Sequence, residues 1–295
     1  MPLTIAPITP SFAAEVGDVD LSESLSDERL NEIKEAFWQY SVLVFPNQEL
    51  SEEDHLRFAG YFGPHETTIA KNRPGHQLRV SKHIADVSNI TAEDAIWAEQ
   101  SPRRLHELAN RLWHTDSSYK PLPALASFLY ARSIPPVGGH TEFCDERAAY
   151  DALPEQIRDQ LTGLIAEHCI RFSRARIGFS DFTPEEVAAL PAVPQALVRT
   201  IPQNGRRTLY LASHIGAIRG MAETAAKELV DGLIEHTTQR QFVYTHRYRV
   251  NDLVMWDDRC TMHRGMSFDD LRWRRDVQRA TVSDIAPTCE QEGLI

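Results

Sequence analysis

Between residues 30 and 40 an apolar side chain recurs at every third or fourth position, which is the period of a helix with one buried face. Ser26 precedes this segment and belongs to the residue types that cap helix starts, so we predict a helix there. Residues 41–45, Ser-Val-Leu-Val-Phe, are apolar after the serine and predict a buried strand that ends at Pro46-Asn47.

A second helix is predicted from Ser51, with Asp54 three residues later as its capping partner, to about Gly63. The pattern weakens over residues 64–110, where Lys, His, Arg, Pro and Gly accumulate. A loop of this length inside a compact chain is more often functional or mobile than inert.

The middle of the chain alternates between strand and helix patterns. Residues 122–144 hold short apolar runs broken by paired prolines and glycines, which predicts a strand, a turn and a second strand. Residues 145–168 predict a helix interrupted at Pro154, whereas residues 170–195 show no clear pattern.

The last third predicts a strand over residues 207–211, an amphipathic helix over 222–237 and strands over 241–248 and 253–256. Short strands with helices at one end and between them are typical of a β-barrel or jelly roll with α insertions. Because we find neither a repeat nor a low-complexity linker, we expect residues 1–295 to form one domain.

The composition narrows the class of protein. The 42% hydrophobic and 25% charged residues are those of a soluble globular protein, and no apolar run is long enough to span a bilayer. The net charge of −11 argues against nucleic acid or an anionic membrane surface as a partner. Four cysteines without CxxC pairing, and an N-terminus without signal-peptide features, predict a cytoplasmic protein.

The segment LWHTDSSYKP, residues 112–121, places His114 two residues before Asp116. A chain with 12 histidines and 42 acidic residues should contain roughly one or two His-x-acid triplets by chance, and a second one occurs at His140-Thr141-Glu142. The triplet alone therefore does not establish a metal site.

A non-haem iron oxygenase needs two histidines and one carboxylate on one face of the metal. In a strand, residues i and i+2 point the same way, so His114 and Asp116 at a strand end could both face one ion. His263 in MWDDRCTMHRG follows a predicted strand and could supply the third ligand. A lone histidine is more often a surface or core residue, so the spacing leaves both possibilities open.

Two arginines follow His263 at spacings that fit the same chemistry. Arg275 lies twelve positions later on the next predicted strand, where its planar fork could bind a dicarboxylate chelated at iron. Arg279 lies four positions farther and faces the same side if the strand is regular. A solvated face is the alternative, and it fits Arg272 and Arg274 better than this pair.

Several segments in order along the chain resemble the taurine dioxygenase superfamily of Fe(II)/2-oxoglutarate-dependent oxygenases. The matching segments are FAAEVGDVDL, SVLVFPNQ, FAGYFGP, NRLWHTDSSYKPLPALASFLYARSIPPVGGHTEFCDERAAYDALP, QRQFVYTHRYRVNDLVMWD, WDDRCTMHRG and RRDVQRAT. The resemblance runs nearly end to end and is closest to the phenoxyacetate-cleaving members. It implies a mainly β fold with α insertions around a double-stranded β-helix, or jelly-roll, core.

The resemblance also implies roles for individual residues. It makes His114, Asp116 and His263 the iron ligands and assigns Thr141 and Arg275 to the distal carboxylate of the cosubstrate 2-oxoglutarate. His140 and Glu142 then fall outside the metal site. The residues implied at the primary substrate are Arg279, which would hold its acidic group, and Asn110, His214, Ile215, Lys71 and, with a speculative role, His83. Many relatives have a histidine after the segment VRT, where this chain has Ile201-Pro202, and this leaves the substrate less defined.

The implied reaction consumes 2-oxoglutarate and O2, releases succinate and CO2, and hydroxylates the carbon between the ether and carboxylate of an aryloxyalkanoate. The product then collapses to a phenol and glyoxylate. A taurine-like sulfonate or a sulfate ester is the alternative substrate, since Arg279 would hold those anions too. A metal-binding jelly roll without turnover is the remaining alternative. We expect a small-molecule carboxylate as the partner and a homo-oligomer as the assembly.

Overall fold

The structure is a computed structural model that describes residues 3–68, 78–180 and 182–291. Within these ranges the strands are β1 (Thr4–Pro7), β2 (Ala13–Gly17), β3 (Val42–Phe45), β4 (Ile84–Asp86), β5 (Ala124–Ser133), β6 (Thr141–Asp145), β7 (Ile165–His168), β8 (Val193–Ala196), β9 (Val198–Thr200), β10 (Arg207–Leu209), β11 (Ile215–Ile218), β12 (Val243–His246), β13 (Leu253–Asp257), β14 (Thr261–Gly265) and β15 (Asp276–Ser283). The α-helices are α1 (Asp27–Tyr40), α2 (Glu52–Gly60), α3 (Pro102–Glu107), α4 (Glu146–Asp151), α5 (Glu155–Leu161), α6 (Ile170–Ala175), α7 (Pro184–Ala189) and α8 (Glu223–Thr237).

Two sheets form the centre of the molecule. The large sheet has the strand order β1-β2-β3-β13-β5-β15-β4, and the small sheet has the order β12-β6-β14. Apart from the parallel β2–β3 pair, the strand pairs in these sheets are antiparallel. Two further sheets, β11-β7-β8 and β10-β9, lie outside this pair.

The hydrophobic core lies in layers because each face of the large sheet is covered. One face packs against α1 and α2 through residues such as Phe37 and Phe58. The other face packs against the small sheet, where Val254 and Trp256 share a cluster with Phe143. The far side of the small sheet packs against α8 and the β11-β7-β8 sheet. These facing sheets with helices outside confirm the predicted mainly β, jelly-roll architecture.

Both N-terminal helices begin where their capping residues predict. The Ser26 hydroxyl accepts from the Arg29 backbone N–H at 3.4 Å, and Ser51 and Asp54 form a reciprocal capping box. The helix α2 ends at Gly60, three residues before the predicted end at Gly63.

The helix prediction over residues 145–168 is wrong in its last part. The chain forms α4 and α5 on either side of Pro154, but residues 165–168 form strand β7. The sequence Ile-Ala-Glu-His alternates in burial along this strand, because β7 pairs between β8 and β11 with one face in the core. Tertiary pairing therefore outweighed the helical pattern of the preceding residues.

The turn between β5 and β6 carries the chain from the large sheet to the small one, so these two strands do not pair with each other. Gly138 and Gly139 adopt φ angles of 80° and 69°, which favour glycine. A Cβ at Gly139 would lie 2.8 Å from the Pro135 ring, so this turn needs glycine for space as well. No helix in the described ranges combines the length and apolar character needed to cross a membrane.

Candidate metal centre and its two cavities

His114 and His263 are neighbours because their backbones form an isolated antiparallel bridge. The His114 N–H donates to the His263 carbonyl at 3.0 Å, and the His263 N–H donates to the His114 carbonyl at 2.8 Å. His263 lies in β14, a strand that the sequence did not predict, and His114 follows a 3-10 turn at Leu108–Arg111. The bridge places the two imidazole ring centroids 4.3 Å apart.

Asp116 completes a compact, buried group. One ligand atom from each of His114, Asp116 and His263 lies within 4.8 Å of the other two. The Asp116 carboxylate oxygens lie 3.9 Å from His114 Nε2 and 3.7 Å from His263 Nε2. The spacing of these donors is that of a metal site with two histidines and one carboxylate, which leaves positions open for other ligands.

Neighbouring groups orient His114 and Asp116 for metal binding. His114 Nδ1 lies 2.7 Å from the Leu112 carbonyl, to which it can only donate, so Nε2 keeps a free lone pair. Asp116 Oδ1 accepts from Arg279 Nη1 at 2.6 Å, and Oδ2 accepts from the Ser127 hydroxyl at 2.9 Å. The Asp116 backbone N–H donates to Asp258 at 3.2 Å, which fixes the turn.

The protonation states also fit a metal. Burial lowers the pKa of His114 and lowers that of His263 well below its usual value, so both rings stay neutral and can bind a cation. Burial alone would raise the pKa of Asp116, but the positive charge of Arg279, the neighbouring His263 and His114 and the hydrogen bond from Ser127 together outweigh it and lower the pKa. The carboxylate is therefore ionised, as a metal ligand must be.

A first cavity, of about 120 Å³, opens on one side of His114 and His263. It reaches Thr141 at the start of β6 and Arg275 just before β15. The Thr141 hydroxyl accepts from the Tyr248 hydroxyl at 3.1 Å, and the Arg275 guanidinium lies 6.0 Å from the centroid of the Tyr248 ring. Tyr248 thus supports both residues.

Arg275 is the most unusual group in the first cavity. It is only 9% exposed, and its Nε is buried without a hydrogen-bond partner. No carboxylate in the described part of the chain pairs with it, so burial lowers the pKa of its guanidinium. A buried arginine without a counterion is costly unless a ligand supplies one. The cavity is therefore suited to a ligand with a carboxylate at this end.

A second cavity, of about 150 Å³, adjoins the first at His114 and shares Asn110 and Arg279 with it. Apolar residues in its wall include Ile170, Phe182 and Leu190. Tyr119 and His214 also line it, and their rings meet edge to face at 5.1 Å. The cavity thus combines aromatic and aliphatic surface with polar groups near the metal ligands.

Arg279 lines both cavities and lies between them. Besides its contact with Asp116, its Nε is buried and has no partner among the described residues. The prediction that Arg275 and Arg279 face the same side assumed a regular strand. The β5–β15 register shifts between Asp276 and Val277, so the even spacing is only approximate here. Both arginines nevertheless reach the site.

The remaining predicted substrate residues divide into three groups. Asn110 lines both cavities and donates to Glu107 at 2.6 Å, and His83 lines the second cavity. Ile215 instead lies in the hydrophobic cluster beside α8 and lines neither cavity. Lys71 lies outside the described residues.

The residues expected to be off the site are indeed elsewhere. Glu142 pairs with Arg240 and Arg264, and His140 lines a separate surface groove. Arg272 and Arg274 are exposed, as a solvated face requires. Ile201 is buried and lines neither of the two cavities.

Sequence reasoning missed several residues that line the second cavity or support its wall and the metal group. Tyr119 and Lys120 directly follow the metal pair in the segment already singled out, and their proximity to Asp116 was the available signal. Arg174 and Ser173 lie in residues 170–195, where no pattern was visible. Ser127 gives no signal at all, because one buried serine in a strand has no distinguishing neighbours.

The chain matches known proteins over nearly its whole length. Residues 4–281 match the family model described as "Taurine catabolism dioxygenase TauD, TfdA family". An alpha-ketoglutarate-dependent 2,4-dichlorophenoxyacetate dioxygenase of Cupriavidus pinatubonensis is 41% identical over 97% of this chain and 99% of that protein. An (S)-phenoxypropionate/alpha-ketoglutarate-dioxygenase of Sphingobium herbicidovorans is 32% identical over 90% of each.

A solved structure is similar to this chain over nearly its whole length. The crystal structure of AAD-2 in complex with Mn(II) and N-oxalylglycine superposes with a TM-score of 0.90 at 39% identity, covering 99% of this chain and 100% of that one. The agreement includes both central sheets, since nearly every residue of each chain is covered.

Proposed function

This chain belongs to the taurine catabolism dioxygenase TauD, TfdA family, and we propose that it is an Fe(II)- and 2-oxoglutarate-dependent dioxygenase that cleaves aryloxyalkanoates. The observation that carries the proposal is the buried Arg275, which lacks a carboxylate partner in the described chain, beside the group formed by His114, Asp116 and His263. A metal-chelating dicarboxylate fits between these two features.

The first cavity is proposed to bind 2-oxoglutarate. Arg275 would donate to its distal carboxylate, and the Thr141 hydroxyl, which accepts from Tyr248, would donate its own proton to the same group. Because Thr141 begins β6 and Arg275 immediately precedes β15, the two groups are held by the sheets and orient the cosubstrate before it reacts.

The second cavity is proposed to bind the primary substrate. The Nε–H of Arg279 has no partner in the described chain and would donate to the substrate carboxylate, while Nη1 stays on Asp116. Ile170, Phe182 and Leu190 offer apolar area to an aromatic ring, worth about 25 cal/mol per Å² buried. His214 and Asn110 are proposed as further contacts.

Iron(II) would be held by His114, Asp116 and His263, and it would supply the oxygen chemistry that couples decarboxylation of 2-oxoglutarate to C–H oxidation. The residues of the chain bind and orient the cosubstrate and the primary substrate, and they exclude water from the site. Arg279 holds the substrate acid so that the adjacent carbon faces the metal ligands. Hydroxylation at that carbon gives a hemiacetal, which collapses to a phenol and glyoxylate.

The test is a set of matched reactions with phenoxyacetate, 2,4-dichlorophenoxyacetate and taurine, each with Fe(II), 2-oxoglutarate and oxygen. We expect phenol and succinate in near-equal amounts from the aryloxy acids and much slower turnover of taurine. If taurine outpaces every aryloxyalkanoate, the substrate class is a sulfonate. If no compound yields succinate, the catalytic proposal fails.

We further propose a cytoplasmic location and a homo-oligomeric assembly. The cysteines Cys144, Cys169, Cys260 and Cys289 are all unpaired, which is usual in a reducing compartment. Cell fractionation tests the location, and light scattering on the purified protein tests the assembly.

A further inference from the structure

His214 is held in one tautomer by its contact with Ser173. The Ser173 hydroxyl has a single proton, and it donates this proton to the Ile170 carbonyl at 2.8 Å. Arg174 Nη1 can only donate, and it reaches the same oxygen at 3.3 Å. His214 Nδ1 lies 2.9 Å from that oxygen and must therefore donate as well.

A donating Nδ1 leaves Nε2 of a neutral imidazole as a hydrogen-bond acceptor. His214 is 2% exposed, and no carboxylate in the described ranges pairs with its ring, so a charged imidazolium would lack a counterion. The ring lines the second cavity. Because Nδ1 is bound to Ser173, Nε2 is the nitrogen left to meet a substrate.

The acceptor lies close to the reacting atoms. The His214 ring centroid is 6.0 Å from that of His114, a proposed metal ligand, and 5.1 Å from that of Tyr119. The helix α6, which carries Ser173, packs against β11 through Phe172. The Phe172 ring lies so close to Gly216 that any side chain at this position would overlap it, and α6 is thereby fixed against β11. The position of the acceptor is therefore built into the wall of the cavity.

An aryl ether oxygen offers no hydrogen to this acceptor. We propose that His214 Nε2 accepts from the atom next to the oxidised carbon, and that the enzyme therefore also cleaves N-aryl glycines, in which that atom is an N–H. This inference rests on the proposed function, because it places the substrate acid at Arg279 and the adjacent carbon beside the metal ligands.

The reaction balances with the same co-reactants. 2-Oxoglutarate and O2 give succinate, which takes up one oxygen atom, and CO2, while the other oxygen atom replaces a C–H bond of the glycine methylene with C–OH. In the resulting carbinolamine the C–N bond breaks, the nitrogen takes the hydroxyl proton, and the products are an arylamine and glyoxylate. No further oxidant is needed.

The experiment compares N-phenylglycine with phenoxyacetate, which differ only in N–H against O at one position. A neutral hydrogen bond corresponds to about a two- to tenfold preference, so we expect kcat/KM for N-phenylglycine to exceed that for phenoxyacetate by this factor. Aniline, phenol and succinate are quantified chromatographically. Anaerobic titration calorimetry gives the ratio of the two Kd values independently of turnover.

Three variants test the origin of the preference. Ser173→Ala removes the contact that holds His214 in one tautomer, and His214→Phe removes the hydrogen-bond acceptor. Both variants should therefore reduce the ratio of kcat/KM for N-phenylglycine to that for phenoxyacetate to about one. Ser213→Ala removes a neighbouring buried hydroxyl that has no hydrogen-bond partner among the described residues, and it should leave the ratio unchanged. Because the ratio is taken within each variant, a general loss of folding or metal does not affect it.

The outcomes separate the two proposals. Phenoxyacetate turnover without any preference for N-phenylglycine, or an unchanged ratio in Ser173→Ala, overturns the inference and leaves the proposed function standing. Succinate from neither acid overturns both.

Discussion

The two cavities beside His114 share part of their walls, including Arg103, Asn110 and Arg279, and differ in the remaining wall residues. The first takes Thr141, His263, Arg275 and Trp256 from strands or strand ends of the two central sheets. The second takes most of its wall from helices and loops, including α6 and α7. Wall residues held in paired strands have little freedom to change, whereas wall residues in helices and loops outside the sheets can be altered without disturbing the metal group. The difference predicts a fixed cosubstrate and a variable substrate.

The largest effect is expected from removing a ligand of the metal, because the proposed ligands of both cavities react at this metal. Substituting alanine for His114, Asp116 or His263 should abolish succinate formation, because each loss removes one of three ligands and the facial geometry. Metal content and activity are measured on each purified variant. His140→Ala is the control and should retain iron, since His140 lies in a separate groove. Near-normal turnover of His263→Ala with iron bound would contradict the ligand assignment.

Substitutions at the two arginines should affect the ligands of the two cavities differently. Arg275→Ala should raise KM for 2-oxoglutarate, and Arg279→Ala should chiefly raise KM for the primary substrate, each by roughly tenfold or more. Arg279→Ala should also weaken metal binding, because Arg279 donates to Asp116. Steady-state kinetics with each ligand varied in turn provides the test, and equal effects on both ligands would show that the cavities are not distinct.

Substituting Ser127 should lower the affinity for the metal without a specific effect on ligand binding in either cavity. The Ser127 hydroxyl donates to Asp116 Oδ2, so Ser127→Ala should weaken metal affinity by about 10- to 100-fold without changing the preference among substrates. Titration calorimetry with Mn(II) measures the affinity. Ser118→Ala is a matched control, because that buried hydroxyl has no hydrogen-bond partner in the described ranges. An unaltered affinity in Ser127→Ala would remove Ser127 from the support of Asp116.

The smallest effect concerns the stability of the sheet beneath the second cavity. Burial lowers the pKa of His168 in β7 to about 3, and neither ring nitrogen has a partner in the described chain. Between pH 6.5 and 3 the unfolded chain binds a proton that the folded chain does not, so stability falls as the pH falls.

We expect the wild type to lose roughly 2 kcal/mol from this residue between pH 7 and pH 5. His168→Phe keeps a ring against Tyr210 and should not lose this contribution. Urea unfolding at both pH values measures the difference. The same pH dependence in both proteins would show that His168 titrates normally.

The residues singled out from the sequence include more of the metal group and the first cavity than of the second cavity, for a physical reason. Thr141 begins β6 and Arg275 immediately precedes β15, and the resemblance supplied the roles of both residues and of the metal group. Arg174 could not be predicted, because it meets His106 only after α6 and α3 have packed together. Ile215 follows His214 directly, but β11 turns its side chain into the core, and periodicity did not show that strand. The division into one domain stays a prediction.

The backbone bridge between His114 and His263 has a consequence for how the protein acquires its metal. The two residues are far apart in the sequence, and a metal that had to bring them together would lose affinity to loop-closure entropy. Here two main-chain hydrogen bonds already hold them together. The finished chain can thus exchange its metal without refolding, and we expect chelation to leave the circular dichroism spectrum unchanged. The supply of metal then controls the fraction of molecules that are active, while the fraction that is folded stays the same.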